Sequence, residues 1–216
     1  MKHEWLLWRK DPVMVLFLPA VILVGLMYRP WIEGRTDGIT YLSQIVRPLL
    51  FLAGILSVHV SARDYDNKAF KLRHLLIHEN KLILYRGTFL GLHAFVASVV
   101  VCLPVLRVIS AEKYVIIVVA MLSALLSVLS IAFLAAFMSK SQTISLALVV
   151  AFLAIGKYIF GDYDLSAWLA RVVTQVVMAD GSWDAVNGIV TVAVVLCGVS
   201  SLSLVADRVR HNRIRC

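Results

Sequence analysis

The sequence predicts an all-α, polytopic membrane protein. It is expected to have six transmembrane helices, an N-terminal interfacial helix, a cytoplasmic helix between spans 2 and 3, and an external amphipathic helix before span 6. Three observations carry this. Hydrophobic residues make up 61% of the 216 and charged residues only 16%, with a mean hydropathy of +0.87, whereas a soluble domain is nearer half apolar and a quarter charged. The apolar residues are gathered into runs near the roughly 20 residues that an upright helix needs to cross a bilayer. Lysine and arginine alternate in density between the connections that separate those runs.

Taken in order, Met1–Pro12 is amphipathic and lacks the basic tip, apolar core and small-residue cleavage site of a signal peptide. The first span is therefore expected to stay in the mature protein. The proposed spans are Pro12–Tyr28, Tyr41–Val60, Thr88–Leu106, Tyr114–Met138, Thr143–Phe160 and Val186–Val205. Arg47 followed by Pro48 is expected to interrupt the second, and Lys157 sits near the end of the fifth. A charge facing lipid is expensive, so Arg47 and Lys157 are candidates for lining a substrate path; the alternative is that both snorkel to the outer headgroups. Ser123, Ser127 and Ser130 follow i, i+4, i+7 on the fourth span, a small polar stripe that should let another helix approach closely. No internal repeat is visible, and residues 1–216 read as one membrane domain.

With the N-terminus in the cytoplasm, the inside segments hold 14 of the 21 lysines and arginines against six acids, an excess equal to the whole formal net charge of +8. Both termini and the polar island 61–87 are therefore expected on the cytoplasmic side of the cell inner (plasma) membrane. The basic balance, with a pI near 9.6, fits membrane topology and anionic lipids and calls for no nucleic acid.

The island (SARDYDNKAFKLRHLLIHENKLILYRG) carries a helix with two opposed apolar faces. At about 100° per residue, Leu72, Leu75 and Leu76 fall on one side. Phe70 and Ile77 point the other way, beside a stripe of Lys71, His74 and His78. One face can pack on the membrane helices while the other meets a partner; an ordinary loop folded over the helix ends is the alternative. Between spans 5 and 6, segment 161–185 places Leu165, Leu169, Val172 and Val176 on one helical face, opposite Arg171, Thr174 and Gln175. It should lie in the outer interface or dip into the bilayer.

No phosphate-binding loop and no nucleophile elbow is present. His74 and His78 have the i, i+4 spacing of a zinc pair, but Leu75 stands where a metalloprotease helix carries its glutamate. Metal binding is not expected. His59 and His93 are expected in ordinary hydrogen bonds, and Cys102 and Cys197 as small packing residues within spans. The chain itself reads as no enzyme. A channel or secondary transporter should carry intramembrane acids or paired broken helices, and every Asp and Glu lies outside the proposed span cores.

The residues resemble the permease subunits of ABC-2 type transporters. The resemblance starts with the lead-in Trp5-Leu6-Leu7-Trp8-Arg9-Lys10, followed by Asp11-Pro12 and a span with an internal Pro19. It continues through the second span, the charged segment around Asp66, Phe70, Leu75, Leu76 and Lys81, re-entry after Arg86-Gly87, and the amphipathic Leu165–Met178 before the last span. The family's frequent Gly-Thr and later proline in the coupling segment are missing. The resemblance implies one half of a transmembrane dimer, homodimeric or heterodimeric, that works with separate ABC ATPase subunits. ATP and Mg bind on those partners, and no cofactor binds this chain. It further implies export of a lipid, glycan, peptide, drug or haem, with Phe70, Lys71, His74, Ile77 and His78 coupling to the ATPase. A noncatalytic assembly or immunity subunit of an ABC complex is the other reading it leaves.

Overall fold

The computed structural model describes residues 38–62, 79–103, 106, 109–160, 186–188 and 190–201, and these are helical throughout apart from short connections. The elements are α1 (Gly38–Ala62), α2 (Glu79–Cys102), α3 (Ala111–Ser139) and α4 (Gln142–Phe160), followed by α5 across Val186–Ser201. Among the described residues, two helices are long and apolar enough to cross a membrane, by length and composition: Ile45–Ala62 within α1, with a mean hydropathy of 1.8, and α3, with 2.8. Shorter apolar stretches are Arg86–Cys102, Gln142–Ala154 and Val186–Ser201. At 1.5 Å per residue, the 29 residues of α3 span about 44 Å, more than the hydrocarbon core of a bilayer.

Element ends depart from the apolar runs for identifiable reasons. The expected interruption at Arg47-Pro48 does not occur: α1 continues through Pro48. A proline removes one helical hydrogen bond, and tertiary packing can hold a helix together across that loss. The polar residues after Glu79 continue into α2 as helix, so the last part of island 61–87 is the first turns of α2. Ser110 caps α3 in an extended conformation, its Oγ accepting from Lys113 N at 3.5 Å, with Glu112 in the first turn, where a negative charge meets the positive end of the helix dipole. At the other end Lys140 adopts a left-handed conformation (φ 51°) and donates its N–H to Ala136 O at 3.0 Å. Glycine usually fills this capping position. Here serine hydroxyls brace the turn: Ser139 and Ser145 Oγ lie 2.8 Å apart, and Ser139 Oγ and Ser145 Oγ both donate to Ser141 O.

α3 is the centre of the bundle and packs against α1, α2 and α4. Ile116, Ile117, Met121, Leu125 and Val128 are buried along it, together with Ile45, Leu49 and Leu56 of α1 and Leu90 of α2. A second cluster of smaller residues, Val58, Ala62, Ala132, Ala136 and Val149, joins α1, α3 and α4 near the α3–α4 turn. Directions follow from the contacts. α1 runs parallel to α3, with Ser57 at Leu129 and Ala62 in the cluster with Ala136. α2 runs antiparallel to α3, since Tyr114 Oη donates to Val99 O at 3.2 Å while Gly87 and Gly91 lie near Leu126 and Phe133. The end of α1 meets the start of α4 where Gln142 Nε2 donates to His59 Nδ1 at 3.3 Å. The end of α1, the start of α2 and the α3–α4 turn therefore share one end of the bundle.

Candidate functional site

The polar chemistry of the described residues is concentrated on α3. Ser123, Ser127 and Ser130 are all buried, and the reason they can be is visible in their donors. Ser123 Oγ donates to Val119 O at 2.8 Å and Ser127 Oγ to Ser123 O at 2.8 Å. Ser130 Oγ lies 3.2 Å from Cys197 Sγ on α5. A hydroxyl that returns its proton to the preceding turn can be buried without the penalty of an orphaned donor.

Two neighbouring helices then bond to consecutive carbonyls of this stripe. Ser57 Oγ of α1 donates to Leu129 O at 3.2 Å, and Ser200 Oγ of α5 donates to Ser130 O at 3.2 Å while sharing its proton with Leu196 O at 2.8 Å. The expectation that small polar residues here let other helices approach agrees with this geometry. One turn from Ser57, Gly54 makes a closer approach that the stripe did not reveal. A Cβ at Gly54 would stand 2.8 Å from Val149 Cγ1, 3.2 Å from Leu153 Cδ1 and 3.4 Å from Val128 Cγ1, so α1, α3 and α4 meet there with no room for a methyl group.

On the other side of α3 a cleft of about 270 Å³ opens between α2, α3 and α5, with Gly87, Gly91, Leu126, Phe133, Cys197 and Ser201 among its walls. A Cβ at Gly87, Gly91 or Gly198 would meet nothing within 4 Å. The G-x-x-x-G spacing of Gly87 and Gly91 is readable in the sequence, and it marks a helix face that permits close packing. Arg86, next to this face, is buried, which the hydropathy pattern did not suggest.

The other expected site residues are placed as follows. Arg47 is exposed on α1. Lys157 belongs to α4, and the antiparallel pairing of α1 with α4 puts the two positions toward the same end of that pair. Phe70, Lys71, His74, Ile77 and His78 lie outside the described residues, as do the external helix Leu165–Met178 and the first span. His59 is bonded to Gln142; His93 Nδ1–H donates to Phe89 O at 2.9 Å, its ring 3.9 Å from that of Phe89. Both histidines thus take part in hydrogen bonds, His59 between α1 and α4 and His93 within α2. Among the described residues Cys102 is a buried free thiol, and no three His, Cys, Asp or Glu side chains converge on a common point. No protein-family model, no curated protein and no solved structure matches this chain.

Proposed function

We propose that this chain is the membrane-embedded permease subunit of an ABC-2 type transporter, an exporter of the inner (plasma) membrane that pairs with a second permease subunit and with separate ATPases. In this reading six spans cross the bilayer, both termini are cytoplasmic, and residues 61–87 form the lever that receives ATP-driven closure of the partners. The observation that carries it is the convergence of ends. α1 leads into the island and α2 leads out of it at the same end of the bundle as the α3–α4 turn. Ser200 of α5 also bonds at the Ser130 level of α3, beside the Gly87 end of α2. The sequence beyond α5 carries Arg208, Arg210, Arg213 and Arg215, the turn Lys140, and the island six more cations. That segregation of positive charge is what a cytoplasmic face requires.

Phe70 and Ile77 face the ATPase in this reading, and Lys71, His74 and His78 orient it. Burying each apolar side chain in a partner cleft contributes about 1.5–3 kcal/mol, and the basic stripe adds salt dependence. Arg47 and Lys157 line the substrate path. The test compares Phe70→Asp with Leu75→Asp for detergent-stable yield, ATPase co-purification and transport. Phe70→Asp is expected to lose ATPase binding and transport at normal yield. Leu75→Asp is expected to lose yield, because it buries an unpaired charge against the permease's own helices. Full partner binding and transport by Phe70→Asp would refute the lever.

A further inference from the structure

We propose that the cleft between α2, α3 and α5 binds one acyl chain of a membrane phospholipid; the proposal rests on the chain being embedded in the bilayer, as read above. Its walls combine Gly87 and Gly91, which carry no side chain, with Leu90, Leu126, Leu129 and Phe133, and the two helices α2 and α5 that contribute to it also expose large apolar side chains on their surfaces, Leu92 and Phe95 on α2 and Val194 and Val195 on α5. The polar groups in the cleft do not call for a polar occupant. Ser200 Oγ donates to Ser130 O and Leu196 O, Ser201 Oγ donates to Cys197 O at 2.8 Å, and Ser130 Oγ pairs with Cys197 Sγ. The Ser200 and Ser201 protons are thus committed within the protein, and Ser130 Oγ and Cys197 Sγ pair with each other, so a hydrocarbon occupant leaves the Ser200 and Ser201 hydroxyls with their acceptors in place.

The volume admits such an occupant. A space of about 270 Å³ lies just below the roughly 300–1,000 Å³ of sites that enclose drug-sized ligands, which suits a single flexible chain entering from the side. Leaving the cleft empty would forfeit the dispersion contacts of its lining, and the medium in contact with Leu92 and Val194 in a bilayer is hydrocarbon.

The experiment uses the full chain reconstituted in phosphatidylethanolamine–phosphatidylglycerol nanodiscs containing a phospholipid with a photoactivatable group at its acyl terminus. Adducts are mapped by peptide mass spectrometry. They are expected to concentrate on residues 87–91 and 197–201, and to fall several-fold there in Gly91→Leu and, independently, in Gly87→Leu, positions that both line the cleft with open space where a Cβ would stand, while labelling at Ile144 and Leu148 of α4 is unchanged. Native size-exclusion behaviour of each variant shows that it has folded, and two sites of substitution guard against one failing to fold. Adducts spread evenly over all exposed apolar faces, or unaffected by both substitutions in folded protein, would overturn the acyl-chain site. So would a crosslink from Cys197, in a Cys216→Ser background, to a second copy or to another segment of the chain, which would put a helix there instead. Retention of the protein in carbonate-washed membranes distinguishes these failures from failure of the membrane reading itself.

Discussion

Gly54→Ala adds one methyl group where three helices meet, and the structure supplies the magnitude. The new Cβ would stand 2.8 Å from Val149 Cγ1, well inside the roughly 3.5–4.0 Å optimum for carbon pairs. Val149 is buried and β-branched, and its single favoured helical rotamer leaves the methyl little freedom to turn aside. Either α4 moves away or the rotamer distorts, so the cost belongs near the top of the roughly 1–3 kcal/mol range for overpacking. Replacing a helical glycine by alanine returns about 1 kcal/mol, for a net loss of about 2 kcal/mol. In a chain of this length that corresponds to a fall of about 4–8 °C in midpoint, measurable as heat-induced loss of the monodisperse peak in detergent. Gly91→Ala, where an added Cβ meets nothing within 4 Å, should gain helix propensity without a clash and be neutral or slightly stabilised. Val149→Ala should destabilise alone, yet relieve Gly54→Ala, so the double variant should lose less than the sum of the singles. A Gly54→Ala protein as stable as the parent, or strict additivity with Val149→Ala, would refute the three-helix pinch.

Ser127→Leu should lower folded yield sharply, by overpacking a fully buried position, whereas Val194→Leu, at an exposed site, should leave the yield near that of the parent; equal yields would count against the α3 interface. Ser57→Ala removes one interhelical bond and should cost only about 0.6 kcal/mol, read as a shift of a few degrees or less in the same detergent melt. Arg47→Met and Lys157→Met should each impair transport at unchanged yield, and normal transport by both would remove them from the path.

The helices were legible because an apolar run of near-membrane length has few other structures open to it. Their ends were less so. They depend on capping by Ser110 and Lys140, on α2 extending as helix to Glu79, and on packing that carries α1 through Pro48. The serine stripe was legible for a related reason: its i, i+4, i+7 period is a property of one helix. Gly54 was not. Which glycine is pinched depends on the register of α4 against α1, and no pattern within α1 encodes the position of Val149. Gly87 and Gly91 sit between these cases, since their spacing is local but whether it faces a neighbour or open space is decided by the whole bundle. The coupling role proposed around Phe70 rests on helical periodicity and on the family resemblance, since residues 63–78 lie outside the described ones.

The bonds to Leu129 and Ser130 show how a central helix can be both apolar and directional. α3 has the higher mean hydropathy of the two long helices, and in lipid apolar packing alone distinguishes poorly between one helix register and another. Hydroxyls do distinguish, because a donor displaced by one turn loses its carbonyl. Ser57 fixes α1 and Ser200 fixes α5 at adjacent carbonyls, so both helices share one register on α3. Ser57 lies five residues before the end of α1 at Ala62, about 7.5 Å along the axis, and the island begins there. If the island is the lever, a push delivered to it meets α3 through this bond within two turns. Ser57→Ala should therefore reduce transport per ATP hydrolysed by more than its small stability cost would suggest. Ser123→Ala, whose hydroxyl bonds only within α3, should leave that ratio unchanged. An equal effect of the two substitutions on coupling would show that Ser57 only helps hold the bundle together.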